Sequence, residues 1–392
     1  KNSGIYAENS HNIQIKNCNF STGYTFETFA TYVNSFSSDL VIDSCRFFNT
    51  TNIWAFNWRC IYSEKSAVQI RNSSFFKNSG SSIILSIQGS LIVENCLFKD
   101  NKSAGIDINT EGALIRNNVF INNGVAIKCY LVTAKIINNL FAYNVYKCGC
   151  SNFNGCAINL DNAGTTLIAN NTIVNNTQDS NGNTVYASYC SPTIVNNIFW
   201  NNIREGVGFY NGAGLGIPNP IVKNNIIKGV NDGLNFNVDP LFRLKDSLDY
   251  SLLNTSPAIN KGLTDTTGLY LPLFDLLGNK RIDLTYKKLD LGAYEYAGND
   301  VPVVPVIPDP PTIIITQTLK ETDIYPNPTN STLNLSSEYN TLPYVILNLK
   351  GQSVQSGSII NYSINVNFLP RNTYVLRIKK ENRYVTAKFI KL

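Results

Sequence analysis

The sequence predicts an all-β protein: a solenoid of stacked parallel strands followed by a small C-terminal β-sandwich. Three observations predict it. A phrase that reads aliphatic, any residue, Asn or Ser, then Cys, Asn or Ser, any residue, then Phe or Ile recurs nine times at intervals of 21 to 32 residues. Such a period marks an array of stacked units. No window keeps apolar residues at i, i+3, i+4 and i+7 through three helical turns. Finally, a Pro-interrupted stretch leads into alternating strands with turn residues between them, the pattern of a small sandwich.

The first copy is Ile15-Lys16-Asn17-Cys18-Asn19-Phe20, and the others begin at Ile42, Ile70, Val93, Ile115, Ile136, Ile168, Ile194 and Val222. The flanking segments are short, β-branched and alternating, so the unit is made of strands. A tight corner needs a residue that tolerates the left-handed region, and Asn does so best after Gly. Stacked corners repeat about 4.7–4.9 Å apart, so side-chain amides bond the rungs above and below. This resembles a right-handed parallel β-helix with an asparagine ladder. Its core columns follow from the aliphatic anchors.

Composition excludes several classes. The 392 residues are 43% apolar, 11% aromatic and 15% charged, against about 25% charged in an average domain, which argues against disorder. No apolar run nears the ~18 residues of a membrane helix, so no transmembrane segment is expected. The net charge of +5 resides in the tail, where Arg371 to Leu392 holds seven Lys or Arg and one Glu. The near-neutral remainder predicts no nucleic-acid partner, and nothing in the sequence implies a cofactor. The chain opens at Lys1 with no Met and no leader, so a trimmed N-terminus lacking its opening cap is expected.

Nine cysteines suit an oxidising compartment. Cys18, Cys45 and Cys96 fill the slot that later rungs give to Asn118, Asn139, Asn171, Asn197 and Asn225. Cys96 is expected as a stacked buried thiol, whereas Cys18 and Cys45, on adjacent rungs, are candidates for a disulfide. Cys148, Cys150 and Cys156 share a long insertion and are expected to pin it by a disulfide. A zinc site there lacks both a nearby His and a Cys-x-x-Cys pair, so no metal is expected.

After Asn225 come fixed phrases: Asp239-Pro240-Leu241-Phe242, Asp249-Tyr250-Ser251-Leu252, Ser256-Pro257-Ala258-Ile259-Asn260-Lys261-Gly262, Gly278-Asn279-Lys280-Arg281 and Asp290-Leu291-Gly292-Ala293-Tyr294-Glu295-Tyr296. Their order resembles the closing segment of bacterial secreted β-helix proteins of the choice-of-anchor Q type. Its expected role is to cover the last rung, whose open strand edge would template aggregation. Prolines 302, 305, 308, 310 and 311 then predict a semi-rigid spacer.

The tail carries Ile324-Tyr325-Pro326-Asn327-Pro328-Thr329, Leu333-Asn334-Leu335, Gly351-Gln352, Leu369-Pro370, Thr373-Tyr374-Val375-Leu376 and a final Lys388-Phe389-Ile390-Lys391-Leu392. This resembles the type A C-terminal sorting domain of the type IX secretion system of Bacteroidota. Asn372-Thr373 stands where that family usually has Gly before its Tyr-x-Leu strand. The resemblance implies secretion through the outer membrane to the cell surface or beyond, with the translocon and its shuttle barrel as partners. It also implies fixation to surface lipopolysaccharide after sorting. Tyr325, Pro326, Asn327, Pro328, Tyr374, Lys388 and Lys391 are the expected sorting-signal residues, the basic strands facing an acidic receptor groove. The triplets Asp246-Ser247-Leu248 and Asp265-Thr266-Thr267 resemble the O-glycosylation sites of that phylum. The expected divisions are thus a helix of about nine rungs over 1–230, a closing segment over 231–298, a linker over 299–319 and a sorting domain over 320–392.

Function in the solenoid must come from its surface. Aligned anchors place Ile61, Ile84, Ile106, Ile127, Ile158 and Val185 inward, which turns Tyr62, Leu85, Asp107, Lys128, Asn159 and Tyr186 outward in a column. A second column holds Glu64, Ile87, Asn109, Tyr130, Asp161 and Ser188. Tyr62, Asn109, Tyr130, Asn159 and Tyr186 are candidates for binding an extracellular glycan. Lys128, Asp107 and Asp161 are the catalytic candidates, as an acid/base pair or as a lyase base. The plainer alternative is a surface ion pair between Asp107 and Lys128. The Gly-His-Gly and paired-Asp signatures of polygalacturonases are missing, as is the acidic calcium cluster of pectate lyases. The sequence therefore favours a non-catalytic glycan-binding, adhesive or structural surface protein over a polysaccharide lyase or glycoside hydrolase.

Overall fold

A computed structural model describes residues 2–21, 30–49, 58–146, 155–178, 183–204, 206–210, 219–230, 232–244, 248–263, 265–282, 288–298, 317–318, 324–348, 353–380 and 383–392. The expected linker apart from residues 317–318, and the residues Cys148, Cys150, Asp246 and Ser247, lie outside the described residues. The chain forms two compact units, Lys1–Ile307 and Pro308–Leu392.

In the first unit each coil contributes strands to three faces, all paired in parallel to the next coil. The first face includes Asn2–Glu8, Ala30–Phe36, Ala104–Asn109, Ile127–Tyr130, Gly155–Asp161, Asn183–Ser188 and Val207–Tyr210. The second face includes Ile13–Lys16, Asp39–Asp43, Ala113–Arg116, Ala134–Ile137, Leu167–Ala169, Thr193–Val195 and Ile221–Lys223. The long strands Arg59–Arg71 and Ser82–Glu94 run through both. A separate sheet, from Asn19–Ser21 to Ile226–Ile227, makes the third face.

The repeated phrase explains one whole edge of the coil. Its aliphatic anchor is buried on the second face, each paired with the anchor of the next rung from Ile15 to Val222. Its next-but-one residue turns the corner with positive φ: Asn17, Ser44, Asn72, Asn95, Asn117, Asn138, Asn170, Asn196 and Asn224 all lie between 52° and 60°. Its terminal aromatic enters the core of the third face. Phe20, Phe47, Phe75, Phe98, Phe120 and Phe141 stack ring on ring, 4.6–5.0 Å apart and within 12° of parallel. The ring spacing is the rung spacing, so one residue type repeated at one position yields a continuous stack.

The slot after the left-handed residue holds the ladder. Asn118, Asn139, Asn171, Asn197 and Asn225 are fully buried, and each Nδ2 donates to the next Oδ1 at 2.9–3.1 Å, ending on Asn235. A second ladder, unforeseen above, runs through Asn78, Asn101, Asn123, Asn144, Asn176 and Asn202 at 2.8–3.0 Å. The signal for it is present: each of these asparagines stands three residues after the stacked Phe or its aliphatic substitute.

The expected disulfide between Cys18 and Cys45 is corrected, while Cys148 and Cys150 lie outside the described residues. Cys18, Cys45 and Cys156 are all free thiols. Cys45 Sγ donates to the carbonyl oxygens of Asp43 and Ile15 at 3.3 and 3.4 Å. These are the two positions to which Asn171 donates in its own rung and the preceding one. The thiol replaces the amide donor in the ladder, and it stays a thiol although the Cys18 side chain stands beside it. Cys156 is buried on the strand Gly155–Asp161. Burial pushes the Cys96 and Cys156 thiols up to about 12, which leaves almost no thiolate near neutrality. Under native conditions iodoacetamide is expected to modify half-buried Cys18 while sparing Cys45, Cys96 and Cys156, read by peptide mass spectrometry; equal labelling of the buried three would contradict this packing.

The segment after Asn225 takes two places. Residues 232–237 cover the last rung: Asn235 accepts from Asn225 while Asp232 Oδ1 holds the Asn235 N–H at 2.8 Å, and Phe236 pairs with Ile226. The fixed phrases run instead along the flank of the coil, a correction to their expected place. Tyr250, Ala293 and Tyr294 pack on Ile121, Leu140 and Val174, while Leu252, Ala258 and Leu291 pack on Ile198 and Ile226. Asn117 donates to the Phe274 oxygen at 3.2 Å, and Ala293 N donates to Thr172 Oγ1 at 3.0 Å. The phrases therefore form a strap over the exposed outer side of the third face.

The strap is locked by buried polar side chains. Arg281 is fully buried and its Nη1 lies 3.0 Å from Glu295 Oε1. Asp290 accepts the N–H groups of Asn260 and Tyr296, both at 2.7 Å. Asp275 accepts those of Leu277, Asn279 and Glu295, all at 2.8 Å. Arg281, Asp290 and Glu295 of the fixed phrases, with Asp275 just before one of them, are thus the strap's own hubs.

The second unit is a small sandwich. The antiparallel strands Ser353–Ser358, Pro343–Leu347, Asn372–Lys380 and Arg383–Lys391 form one sheet, extended by Gln317–Thr318 in parallel. Ile324–Tyr325, Thr332–Leu335 and Ser363–Asn365 form the other. Leu333, Leu335 and Ile364 from one sheet meet Ile346, Leu376, Ile378 and Phe389 from the other in a single core.

Candidate functional site

The first face carries the outward columns in the register read from the sequence. Ile61, Ile84, Ile106, Ile127, Ile158 and Val185 pair in turn and are fully buried. Alternation then turns Tyr62, Leu85, Asp107, Lys128, Asn159 and Tyr186 outward, with Glu64, Ile87, Asn109, Tyr130, Asp161 and Ser188 two positions on. The columns extend further: Tyr6 and Asn34 precede Tyr62, Glu8 and Phe36 precede Glu64, and Tyr210 follows Ser188.

Exposure separates the tyrosines. Tyr130 is 47% exposed, whereas Tyr186 is 8% exposed and presents little ring face. Tyr62 is half-buried and donates to Glu64 Oε2 at 2.8 Å. Burial and that carboxylate push its hydroxyl up to about 12. The Tyr62 ring lies 5.5 Å from Phe36, which lies 5.5 Å from Tyr6. Tyr6 donates to Glu8 as Tyr62 does to Glu64. An aromatic strip therefore crosses three adjacent rungs, marked in sequence by the repeated Tyr-x-Glu of Tyr6-Ala7-Glu8 and Tyr62-Ser63-Glu64.

The charges beside the strip do not close on one another. Burial raises the Asp107 carboxyl, against the pull of Lys128 and then Arg59. Burial likewise lowers the Arg59 guanidinium, which stands 5.8 Å from the Tyr62 ring centre. Yet Asp107 and Lys128 are not among the ion pairs of the described residues, which are His11–Asp39, Arg71–Asp43, Arg116–Glu94 and Arg281–Glu295. The expected surface pair is thereby corrected: Lys128 acts on Asp107 through space only. Asn109 Oδ1 is buried with no partner among the described residues.

The second face behaves differently. Lys16, Asp43, Arg71, Glu94 and Arg116 stand in register with alternating sign, and the Arg71–Asp43 and Arg116–Glu94 contacts close at 3.0 and 2.9 Å. Those charges satisfy each other, at about 0–1 kcal/mol per exposed pair. On the first face, by contrast, Asp107 and Lys128 are closed on no ion-pair partner among the described residues.

Carboxylate spacing limits the chemistry. Asp107 and Asp161 are two rungs and two residues apart, a Cα separation of about 12 Å from strand geometry. Retaining glycosidases use about 5–5.5 Å and inverting ones about 6.5–9.5 Å between carboxyls. Asp161 is moreover engaged by Asn162 at 2.9 Å. Among the described residues no three of His, Cys, Asp or Glu gather as a metal site.

In the second unit the predicted sorting residues divide into two groups. Tyr325, Pro326, Asn327, Pro328 and Lys388 are exposed. Asn327 ties the first of these to the last strand: its Nδ2 donates to the Lys388 oxygen at 3.0 Å, and its Oδ1 accepts the Ile390 N–H at 2.9 Å. Tyr374 and Lys391 are buried, at 3% and 7% exposure. The Tyr374 hydroxyl donates to the Pro370 oxygen at 2.8 Å and its ring stacks on Phe389, while Lys391 Nζ donates to the Leu392 oxygen at 2.6 Å. Tyr374 thus belongs to the core of the sandwich, and the exposed group lies on its surface.

Comparison with known proteins agrees with both units. Residues 1–141 match the family model of a right-handed beta helix region, and residues 323–392 match that of a secretion system C-terminal sorting domain. No curated protein matches the chain. Among solved structures, a mutant of the PL6 family alginate lyase AlyGC is similar at 11% identity and a TM-score of 0.21, over 61% of this chain and 51% of that one. The chain thus spans about half the length of that enzyme. The tail is a type IX secretion address, and it directs export across the outer membrane to the cell surface or extracellular space. Among the described residues no helix is long and apolar enough to cross a membrane.

Proposed function

We propose that the exported solenoid is a non-catalytic binder of an extracellular polysaccharide, displayed at the cell surface through its sorting tail and fixed there to lipopolysaccharide. The observation that carries this reading is the first face. The strip Tyr6, Phe36 and Tyr62 continues in register into Asp107, Lys128, Tyr130 and Asn159, and ends at 43%-exposed Tyr210. Ring faces cover the apolar sides of sugars, and the uncommitted polar groups between them bond hydroxyls. One rung per about 4.8 Å is close to one pyranose unit along an extended chain, so an ordered ladder presents similar contacts to successive sugars.

Tyr130→Ala is expected to weaken retention in affinity electrophoresis about tenfold, the loss of one anchoring aromatic. Unchanged retention by this variant would move binding away from the face. A second reading, a polysaccharide lyase, is favoured by one observation: among the described residues no carboxylate closes on the Lys128 amine. Unsaturated products that vanish in Lys128→Met would establish that reading in place of the first.

Export has its own test. Deleting Tyr374–Leu392 removes two central strands of the sandwich, and the cargo is expected to accumulate in the periplasm by immunoblot of cell fractions. Asn327→Ala loses only the two bonds to the last strand and is expected to reduce export partially. Normal surface delivery of the deletion would contradict the role of the tail.

A further inference from the structure

Beside Lys128, where the first face meets the corner before it, lies a groove of about 610 Å³. Its walls come from successive rungs: Gly80 and Ser81, then Asp100 to Ala104, then Asn122 to Val125. Glycine lets the rungs that form the walls approach closely. A Cβ on Gly80 would stand 2.5 Å from the Trp58 oxygen, and one on Gly124 would stand 3.0 Å from the Ser103 oxygen. Two ammonium groups, Lys102 and Lys128, border the space against one carboxylate, Asp100, which already accepts from Asn122 Nδ2 at 2.6 Å. Ser103, 9% exposed, carries a buried hydroxyl that has no partner among the described residues. A buried polar group without a partner is costly unless something meets it.

We propose that this groove is the subsite that selects an anionic sugar unit: a carboxylate or sulfate ester sits between Lys102 and Lys128, the Ser103 hydroxyl rotates outward to donate to it, and Asp100 accepts from a neighbouring sugar hydroxyl. The inference rests on the reading of the first face as a polysaccharide-binding surface, because Lys128 belongs to both. The groove gives that surface its substrate class, which the aromatic strip alone does not. Aromatic rings accept neutral and acidic sugars alike, whereas two ammoniums with a spare hydroxyl donor match an anion by charge-assisted hydrogen bonds.

The test measures affinities of the full chain for three oligosaccharides of equal length: a galacturonate oligomer, a sulfated galactan oligomer and the neutral galactan oligomer. The wild type is expected to prefer an anionic oligomer by about tenfold or more, with the preference weakening as sodium chloride is raised. Lys102→Gln is expected to bring the ratio of anionic to neutral affinity close to one. Ser103→Ala is expected to lower the same ratio; retention of the wild-type unfolding midpoint establishes that either variant is folded. Preference for the uronate over the sulfate ester, or the reverse, identifies which anion the groove takes. Equal affinity for neutral and anionic oligomers, or an anionic preference that survives Lys102→Gln, overturns the subsite while leaving the glycan-binding face in place. Failure of all three oligomers to bind overturns both.

Discussion

Asn139→Ala is expected to destabilise the solenoid by about 3–5 kcal/mol, among the largest effects of any single substitution in it. Asn139 is fully buried and makes four bonds. Its Nδ2 donates to the Ile115 oxygen and to Asn171 Oδ1, both at 3.0 Å. Its Oδ1 accepts the Asn118 N–H at 2.9 Å and Asn118 Nδ2 at 3.1 Å. Alanine leaves the Asn118 N–H with no acceptor and the Ile115 oxygen short of its donor. Each unsatisfied buried group costs about 1–3 kcal/mol, and a small void is added. The neighbouring slot gives the control. Asn95 turns its corner at a φ of 54° with an exposed side chain, and glycine adopts that conformation freely. Asn95→Gly is therefore expected to change stability by only about 0.5 kcal/mol or less. Urea denaturation of the two variants checks the contrast; equal losses would mean that the ladder is ornamental.

Glu295→Leu is expected to cost a similar ~3–5 kcal/mol and to detach the strap, whereas Arg281→Leu is expected to cost less. The asymmetry comes from which partner can lose its charge. Arg281 is fully buried and a guanidinium stays protonated, so removing Glu295 strands a cation. Burial already pushes the Glu295 carboxyl up to about 9 against the pull of Arg281, so after Arg281 is removed the carboxyl stays neutral. The sign for the wild type follows. A carboxyl raised from 4.5 to about 9 on folding contributes stability that is complete below pH 4.5 and lost as pH rises through 9. Denaturation midpoints of the wild type are expected to fall between neutral pH and pH 9, and the two leucine variants to rank as stated. The reverse ranking would contradict the buried pair as the lock.

Much of the fold was legible because the solenoid repeats its physics at one position per rung. The phrase names its own buried anchor, its left-handed corner, its ladder slot and its stacked ring, and the inward column from Ile61 to Val185 follows by alternation. Other features escaped for definite reasons. The second ladder hides in varied pairs such as Lys77-Asn78, Asp100-Asn101 and Tyr143-Asn144, since its corner residue is not constant. The strap's phrases are plain in the sequence, but their place depends on contacts such as Asn170 with Asp290, 120 residues away. Cys18 and Cys45 are neighbours as expected, yet the ladder's carbonyls claim their thiols. On the candidate face, the columns were legible by period, but ring exposure was not. Tyr186 is covered while Tyr6 and Phe36, upstream of the aligned rungs, build the strip. The groove of Lys102 and Ser103 lies at a corner, where residue type is not periodic and no pattern marks it.

The central claim is that the exported solenoid holds a polysaccharide without altering it. The most direct measurement incubates the full chain with a panel of acidic and neutral extracellular polysaccharides, reading retention by affinity electrophoresis and products by mass spectrometry. The account predicts retention on an acidic polysaccharide whose chain length stays unchanged. Release of unsaturated or hydrolysed oligosaccharides would contradict it and return Lys128, Asp107 and Asp161 to the role of catalytic residues.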